Sequence, residues 1–232
     1  MRLGITLMFV FSLCISYAQN ASYNTVVPTR AFLPPPTYIR DVFSSPYETK
    51  AHADVKGSPF LEDKWTLARL KAEGRKQLID SFHLKLNVYD NKIHFMDEKG
   101  EEMETTIRVE EIRIIDNSSA WLDKIFRSGF DKEKGFFEVV ADGGKLTLLK
   151  RHGAYISESK PLGMEPQKKF ELTTELFFSS GYSLYKASKN CTFIKEIFGN
   201  DKRILDFISE NNIRCNKEED MKKLVTFVAS LN

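Results

Sequence analysis

An alternation of apolar and polar residues with period two limits the fold of this chain most. It begins after Gly57 and is clearest around Leu84, Leu86 and Val88, which are separated by more polar residues. Successive side chains of a strand point to opposite faces, so this pattern predicts strands with one buried face. Turn residues recur about every 8–12 positions, which predicts roughly eight to ten strands. We therefore expect an α+β fold: a mostly antiparallel, meandering sheet, curved or a partly closed barrel, with C-terminal helices.

The first predicted hairpin turns at Asp90-Asn91. A two-residue loop there places Val88 opposite Ile93 and Leu86 opposite Phe95, with all four apolar side chains on one face.

The second predicted hairpin spans residues 136–150. A two-residue loop at Asp142-Gly143 or at Gly143-Gly144 puts the apolar residues of both strands on one face, whereas a three-residue loop needs a bulge to do so. Further strands are expected around Ile112 and from Phe170 to Leu184, with a turn at 179–181.

Residues 189–232 change to a helical period and are expected to pack on the sheet. Asn200 is expected to cap one helix, and Asn216 to begin another with Glu219 as the capping-box partner. The second helix carries an apolar stripe made of Met221, Leu224, Val225, Val228 and Leu231. A helix that binds a partner would show the same stripe.

Three further regions follow from the N-terminal sequence. Residues 1–18 have a positive start, an apolar run and a small-x-small end at Ser16-Tyr17-Ala18, which together predict a cleavable signal peptide. Leu13 before Cys14 does not fit a lipid-attachment signal, so no lipid anchor is expected. Residues 19–57 are interrupted by prolines and are expected to be an arm or linker, and residues 58–188 the β domain. We expect an exported protein, periplasmic or extracellular.

Composition excludes some partners and leaves others open. The chain has 34 basic and 32 acidic residues, a balance that gives no electrostatic reason to expect nucleic acid. No segment after the signal is apolar enough to span a membrane. Partners stay unknown, with a lipid or an envelope protein as the candidates.

Two cysteines remain after signal cleavage, Cys191 and Cys215. Export permits a disulfide between them, which would stabilise the fold by about 3 kcal/mol in the loop-entropy model. Two buried free thiols fit the sequence equally well.

The histidines do not predict a metal site. In the predicted register, His83 and His94 lie on the polar face of the first hairpin, about 13 Å apart, too far to share a zinc ion. We expect both to be solvated. His52 belongs to the arm, and His152 follows two basic residues. No cofactor is expected.

No catalytic motif is found either. Phosphate-binding loops, zinc-protease helices and nucleophile elbows are missing from the sequence. Paired carboxylates such as Glu110-Glu111 are plentiful, but their sequence positions cannot show the converging geometry of a glycosidase. We therefore predict no catalytic residue.

Three segments carry a resemblance to a known family. Residues 57–61 (GSPFL) with Trp65, residues 86–90 (LNVYD) and residues 200–224 resemble an exported family of hypothetical proteins from Bacteroidota bacteria. The likeness covers most of residues 57–232. It implies a periplasmic or surface location and supplies no catalytic residues.

Three functions are weighed on this basis. The first is a non-catalytic envelope protein that binds an apolar ligand or a protein partner, since curved sheets capped by helices can enclose cavities. The second is an interaction module that uses the Pro-rich arm and a sheet edge. The third is a hydrolase that acts on envelope polymers.

Overall fold

A computed structural model describes residues 44–47, 52–74, 76, 78–105, 109–130, 134–160, 162–163 and 165–231. These residues belong to the compact unit that spans positions 32–232. The predicted signal peptide and residues 19–43 of the predicted arm lie outside the described residues.

The described chain forms twelve strands followed by three helices. The strands are β1 (Ser44–Pro46), β2 (Val55–Lys56), β3 (Thr66–Ala72), β4 (Ile79–Asn87), β5 (Lys92–Met96), β6 (Glu102–Thr105), β7 (Val109–Ile114), β8 (Ile125–Arg127), β9 (Phe136–Asp142), β10 (Thr147–Ser159), β11 (Gln167–Ser180) and β12 (Ser183–Lys186). The helices are α1 (Thr192–Phe198), α2 (Lys202–Glu210) and α3 (Glu218–Ser230). None of these helices is long and apolar enough to cross a membrane.

All strands join one sheet in the order β1-β6-β5-β4-β3-β7-β8-β9-β10-β11-β12, and β2 pairs with β11. The pairs are antiparallel except for β2 with β11. The predicted α+β class with a mostly antiparallel sheet is confirmed. The partly closed barrel is wrong, because the sheet is open between its terminal strands. The predicted strand number was too low, since β1 and β2 come from the range assigned to the arm.

The open sheet is nevertheless curled. Strands β1 and β2 lie at opposite ends of a path of ten strand spacings, or about 48 Å. The chain from Pro46 to Val55 can span only about 30 Å when fully extended. Curling also brings the ring of Tyr89, after β4, to 5.3 Å from the ring of Phe170 on β11.

The first hairpin has a longer turn than predicted. Leu86 pairs with Ile93 and Asn87 with Lys92, so four residues rather than two form the turn. The side chain of Asn87 explains the difference, because its Oδ1 accepts hydrogen bonds from the backbone N–H groups of Tyr89 and Asp90. The register differs from the predicted one by two residues, which keeps each side chain on its predicted face of the sheet. Leu84, Leu86 and Val88 are buried as expected.

The second hairpin has a four-residue turn, 143–146, instead of the predicted two-residue loop, and it contains a bulge that the prediction lacked. Leu148 pairs with Ala141 but Leu149 pairs with Val139, so Val140 is the extra residue. The apolar residues are therefore divided between two faces instead of sharing one. Gly143 in the turn touches α3: a β-carbon there would lie 2.8 Å from the carbonyl oxygen of Val225.

The helices begin at residues other than those predicted. Asp201, not Asn200, caps α2 by accepting a hydrogen bond from the backbone N–H of Arg203. Lys217 precedes α3 without a side-chain cap, so the capping box at Asn216 is wrong. Three acidic residues in the first turn of α3 favour the helix dipole instead. Met221, Leu224, Val225 and Val228 of α3 are buried in a core that also contains Leu148 and Phe178 of the sheet.

Two apolar cores lie on the same face of the sheet, which we call the helix-covered face. The first core is formed mainly by β3, β4, β5 and β7, and includes Leu70, Phe82, Phe95, Ile112 and Phe126. The second lies between the sheet and the helices, and includes Leu148, Phe178, Phe193, Met221 and Leu224.

A third, smaller cluster lies on the opposite side of β9, β10 and β11, which we call the open face. Its buried members are Phe137, Leu149 and Phe177, and Phe130, Val139 and Leu184 pack against them at its border. We call these six residues the aromatic patch.

Candidate binding site

A row of charged side chains crosses the open face beside the aromatic patch. Strand register places Lys71 of β3 next to Glu111 of β7, Glu111 next to Arg127 of β8, and Arg127 next to Phe137 of β9. Directly paired residues share a face, so these side chains stand on the side opposite the buried Leu70, Ile112 and Phe126.

This row forms one wall of a cleft with a volume of about 790 Å³. Its lining residues are Lys71, Glu73, Val109, Glu110, Glu111, Arg127, Ser128, Gly129, Phe130, Asp142, Gly144, Thr147, Ser179, Gly181 and Tyr182. The turns between β9 and β10 and between β11 and β12 contribute the other wall. The cleft is large enough for a small ligand or for several side chains of a partner.

Arg127 is the central cation of the cleft. Its Nη1 lies 3.2 Å from Oδ2 of Asp142, and its Nε lies 3.7 Å from Oε2 of Glu111. Burial raises the pKa of Asp142, but hydrogen bonds from the N–H of Gly144 and the hydroxyl of Thr147, together with Arg127, lower it overall. Asp142 is therefore an ionised carboxylate at neutral pH.

A second ion pair lies at the other end of the row. Lys71 Nζ is 2.6 Å from Oε2 of Glu110, whose Oε1 also accepts a hydrogen bond from the N–H of Gly74. The hydrogen bond from Lys71 lowers the pKa of Glu110. The cleft lining holds two basic side chains against four carboxylates, which favours a ligand with positive charge.

Aromatic residues border the charged wall. Phe130 packs edge-to-face on Phe137 with ring centroids 5.2 Å apart, and so extends the aromatic patch into the cleft. Tyr182, in the turn before β12, leaves 80% of its surface exposed. Aromatic residues and arginine are the side chains most enriched at protein interfaces.

His94 is buried, which corrects the prediction that it is solvated. Its ring is fully covered by Tyr47 and Phe60, both edge-to-face at 4.4 and 4.9 Å. His94 Nδ1 lies 2.9 Å from Glu102, and Nε2 lies 3.4 Å from the amide nitrogen of Asn87. Tyr47 comes from the range predicted to be an arm, so the sequence pattern left this face of the hairpin uncovered. His83 is also buried.

A second buried histidine pairs with a carboxylate on the helix-covered face. His152 Nε2 is 2.9 Å from Oε2 of Glu138, and Lys124 Nζ is 2.9 Å from the other oxygen. Burial raises the pKa of Glu138, but the bonds from His152 and Lys124 outweigh it and lower the pKa to about 2. Trp121 covers the imidazole at 4.9 Å.

The ionisable groups described in the cleft are arranged in ion pairs. The pKa values of Asp142 and Glu110 are lowered, whereas a catalytic acid needs a raised one. Both histidine–carboxylate pairs are enclosed by aromatic rings and lie outside the cleft lining. Among the described residues, no group of three or more His, Cys, Asp or Glu side chains could hold a metal ion.

The two cysteines meet at the helical end. Cys191 and Cys215 lie at disulfide distance, with Cα atoms 5.1 Å apart. The geometry permits the bond, and its presence in the native protein stays a prediction. The bond would tie the start of α1 to the segment before α3.

Sequence patterns indicated none of the cleft residues except Glu110-Glu111 and the turns at 142–144 and 179–181. A signal for the rest did exist. Asp142 begins a glycine-rich turn, and Tyr182 follows Gly181 in another, so an acidic and an aromatic side chain stand at neighbouring hairpin ends. That β8 brings Arg127 beside them depends on strand order, which local patterns do not specify.

Comparisons with known proteins add no assignment. No family model matches this chain, and no match is found among curated proteins or among solved structures.

Proposed function

We propose that this chain is a non-catalytic binding protein that recognises a positively charged segment of a protein partner in the cleft on its open face. The observation that carries the proposal is the cleft itself, where Arg127 and Lys71 stand among an excess of carboxylates between Phe130 and Tyr182. A charged wall beside aromatic anchors is the pattern of a polar interface.

Packing favours this function over the carriage of an apolar ligand. The side chains of the first core, such as Phe82 and Phe95, are completely buried. The apolar pocket beside that core, lined by Leu61, Leu84 and Trp121 among others, has a volume of only about 20 Å³. That space holds about one water molecule and no acyl chain.

An exported location is part of the proposal. The signal-like residues 1–18 and the cysteine pair at disulfide distance both support it. The resemblance to an exported Bacteroidota family points the same way, and on this basis the partner is a protein of the envelope or the exterior.

Site-specific photocrosslinking in the organism that makes the protein tests the proposal. With benzoylphenylalanine in place of Tyr182, we expect a discrete adduct with one partner. The control carries the same probe in place of Leu122, which is 38% exposed and outside the cleft lining. No adduct at position 182, or the same adducts at both positions, would contradict the proposal.

A matched pair of arginines tests the charged wall. Arg127 and Arg113 both contact Glu111, but only Arg127 lines the cleft. Because Arg127→Ala removes a cation from a cleft that binds a cationic segment, it should raise the adduct yield in the Tyr182 probe background, and Arg113→Ala should leave the yield unchanged. The same adduct yield from both variants, or a lower yield from Arg127→Ala, would contradict the proposal.

A further inference from the structure

One edge of β11 is only partly used. Along the edge that faces β10, β11 pairs without interruption from Gln167 to Ser179. Along the opposite edge, β2 occupies Lys168 and Lys169, and β12 begins to pair at Phe177. Among the strands that the structure describes, none pairs with residues 171–175 on this second edge.

The backbone groups that face this gap can be identified. The N–H of Ala187 donates to the carbonyl oxygen of Leu176, so the backbone of Leu176 points towards the edge. Backbone direction alternates along a strand, and the pairing of β11 with β10 has no bulge. Leu172 and Thr174 therefore direct their N–H and C=O groups outwards, whereas the backbone of Thr173 faces β10.

The side chains leave this edge unprotected. Leu172 is 56% exposed, and Thr173 and Thr174 are also exposed. Leucine and threonine fit a strand, and the gap contains neither the lysine nor the proline that commonly blocks an edge. The flanking carboxylates are neutralised, since Lys169 lies 3.0 Å from Glu171 and Arg151 lies 2.5 Å from Glu175.

The length of the gap limits the kind of segment that can pair with it. Five residues extend over about 17 Å, and β2 and β12 close the gap at its two ends. A second copy of β11, which is fourteen residues long, would collide with β2 and β12 if it paired here. Only a short extended segment that bends away at both ends fits.

We propose that residues 171–175 of β11 form a docking slot for a short extended peptide segment of a protein partner, which adds a strand through backbone hydrogen bonds to Leu172 and Thr174. The slot is separate from the cleft, because none of its residues lines the cleft. The segment carries no proline at the paired positions and places an apolar, β-branched residue opposite Leu172, the favoured cross-strand neighbour of an exposed leucine.

Phage-displayed random heptapeptides, selected on the full chain, provide the probe. We expect selected peptides to bind the wild-type protein and to lose at least about tenfold in affinity when alternate backbone nitrogens are methylated, the equivalent of one lost hydrogen bond. Amide hydrogen exchange at Leu172 and Thr174 should slow on binding, while the amide of Thr173 should not change.

Variants of Thr174 test the slot from the protein side. Thr174→Pro removes an outward-facing N–H without touching the β10 ladder, a position where an edge strand tolerates proline. It should abolish peptide binding, and Thr174→Val, which keeps the N–H, should preserve it. Arg127→Ala in the cleft should leave peptide binding to the slot unchanged. The proposal for the slot and the proposal for the cleft are therefore tested independently.

Three results would overturn the proposal. They are a selection that yields no peptide, peptides whose binding survives methylation at every backbone nitrogen, and exchange protection that appears away from Leu172 and Thr174. Binding of the methylated peptides is measured on the wild-type protein. Misfolding of Thr174→Pro would therefore neither support nor contradict the proposal.

Discussion

The two faces of the sheet around β9, β10 and β11 differ in what covers them. On the helix-covered face, Leu148 and Phe178 lie beneath α1 and α3 and are fully buried. On the open face, at the adjacent position of each strand, Leu149 and Phe177 are buried among side chains of the aromatic patch, and the guanidinium of Arg151 lies over the ring of Phe177. The bulge at Val140 gives both faces an apolar cluster.

Because of this difference, we expect the helix-covered face to contribute mainly to stability and the open face mainly to recognition. The helices bury a continuous core, and residues there act through the apolar surface that they remove from water. The charged residues beside the aromatic patch are paired and solvated, so they contribute little to stability and are available to a partner. Substitutions on the two faces should therefore affect different properties.

The largest effect is expected from truncating the helix-covered core. Leu224→Ala removes a fully buried side chain from α3 and should lower the free energy of unfolding by about 3–4 kcal/mol. Phe130→Ala on the open face removes a half-buried ring and should cost about 1–2 kcal/mol. Urea unfolding followed by tryptophan fluorescence measures both. Equal losses in the free energy of unfolding for the two variants would contradict the proposed difference between the faces.

Removing the cysteine pair is expected to have the next largest effect. If Cys191 and Cys215 form a disulfide, replacing both with serine should lower the free energy of unfolding by about 3 kcal/mol, because the bond closes a loop with a sequence separation of 24. Reductant should destabilise the wild-type protein and leave the double variant unchanged. Alkylation of both thiols in native, unreduced protein would rule the bond out.

Glu138 gives a pH-dependent effect on the helix-covered face. Its pKa is about 2 in the folded chain and about 4.3 in an unfolded one, so its carboxylate stabilises the fold fully above pH 4.3. That contribution disappears as the pH falls through 2. Glu138→Gln should cost about 2 kcal/mol at pH 7, and the difference from wild type should shrink between about pH 4.5 and pH 2.

A surface carboxylate provides the control for Glu138. Glu171→Gln, which removes an exposed partner of Lys169, should change stability by less than about 0.5 kcal/mol. A difference in free energy of unfolding between wild type and Glu138→Gln that stays constant down to pH 2 would contradict this prediction. That result would show that the neighbours of Glu138 do not hold its carboxylate ionised.

The smallest effect on stability is expected in the cleft. Arg127→Ala breaks two partly exposed ion pairs and should cost less than about 1 kcal/mol. The same variant should raise the yield of the crosslink to the cationic partner, so the effects on stability and on binding differ most at this residue. A loss as large as that of Leu224→Ala would make Arg127 a structural residue.

Local patterns were sufficient for the strands and for the helix stripe. Leu84, Leu86 and Val88 are buried because alternation fixes their face whatever the length of the turn. The predicted hairpin registers were wrong because both turns have four residues: Asn87 widens the first, and residues 143–146 form the second, where the bulge at Val140 shifts the register further. Neither the length of a turn nor the position of a bulge can be predicted from the alternation of apolar and polar residues in the sequence.

The candidate site depended on contacts between distant parts of the chain. The row Lys71, Glu111 and Arg127 exists because β7 pairs with β3 and β8 pairs with β7. His94 was expected in water because Tyr47 and Phe60, which cover it, precede the hairpin by many residues. Strand order and the placement of the segment before β3 set both outcomes, and neither follows from a local period.

The parallel pairing of β2 with β11 has a consequence for the order in which the chain can fold. Val55 is made early in synthesis, but its partner Lys168 follows only after most of the 232 residues have been joined. Closing so long a loop is slow, because its entropy is lost before the short ladder forms. β2 therefore reaches its final pairing late, and a chain shortened before Lys168 would leave it with no strand to join.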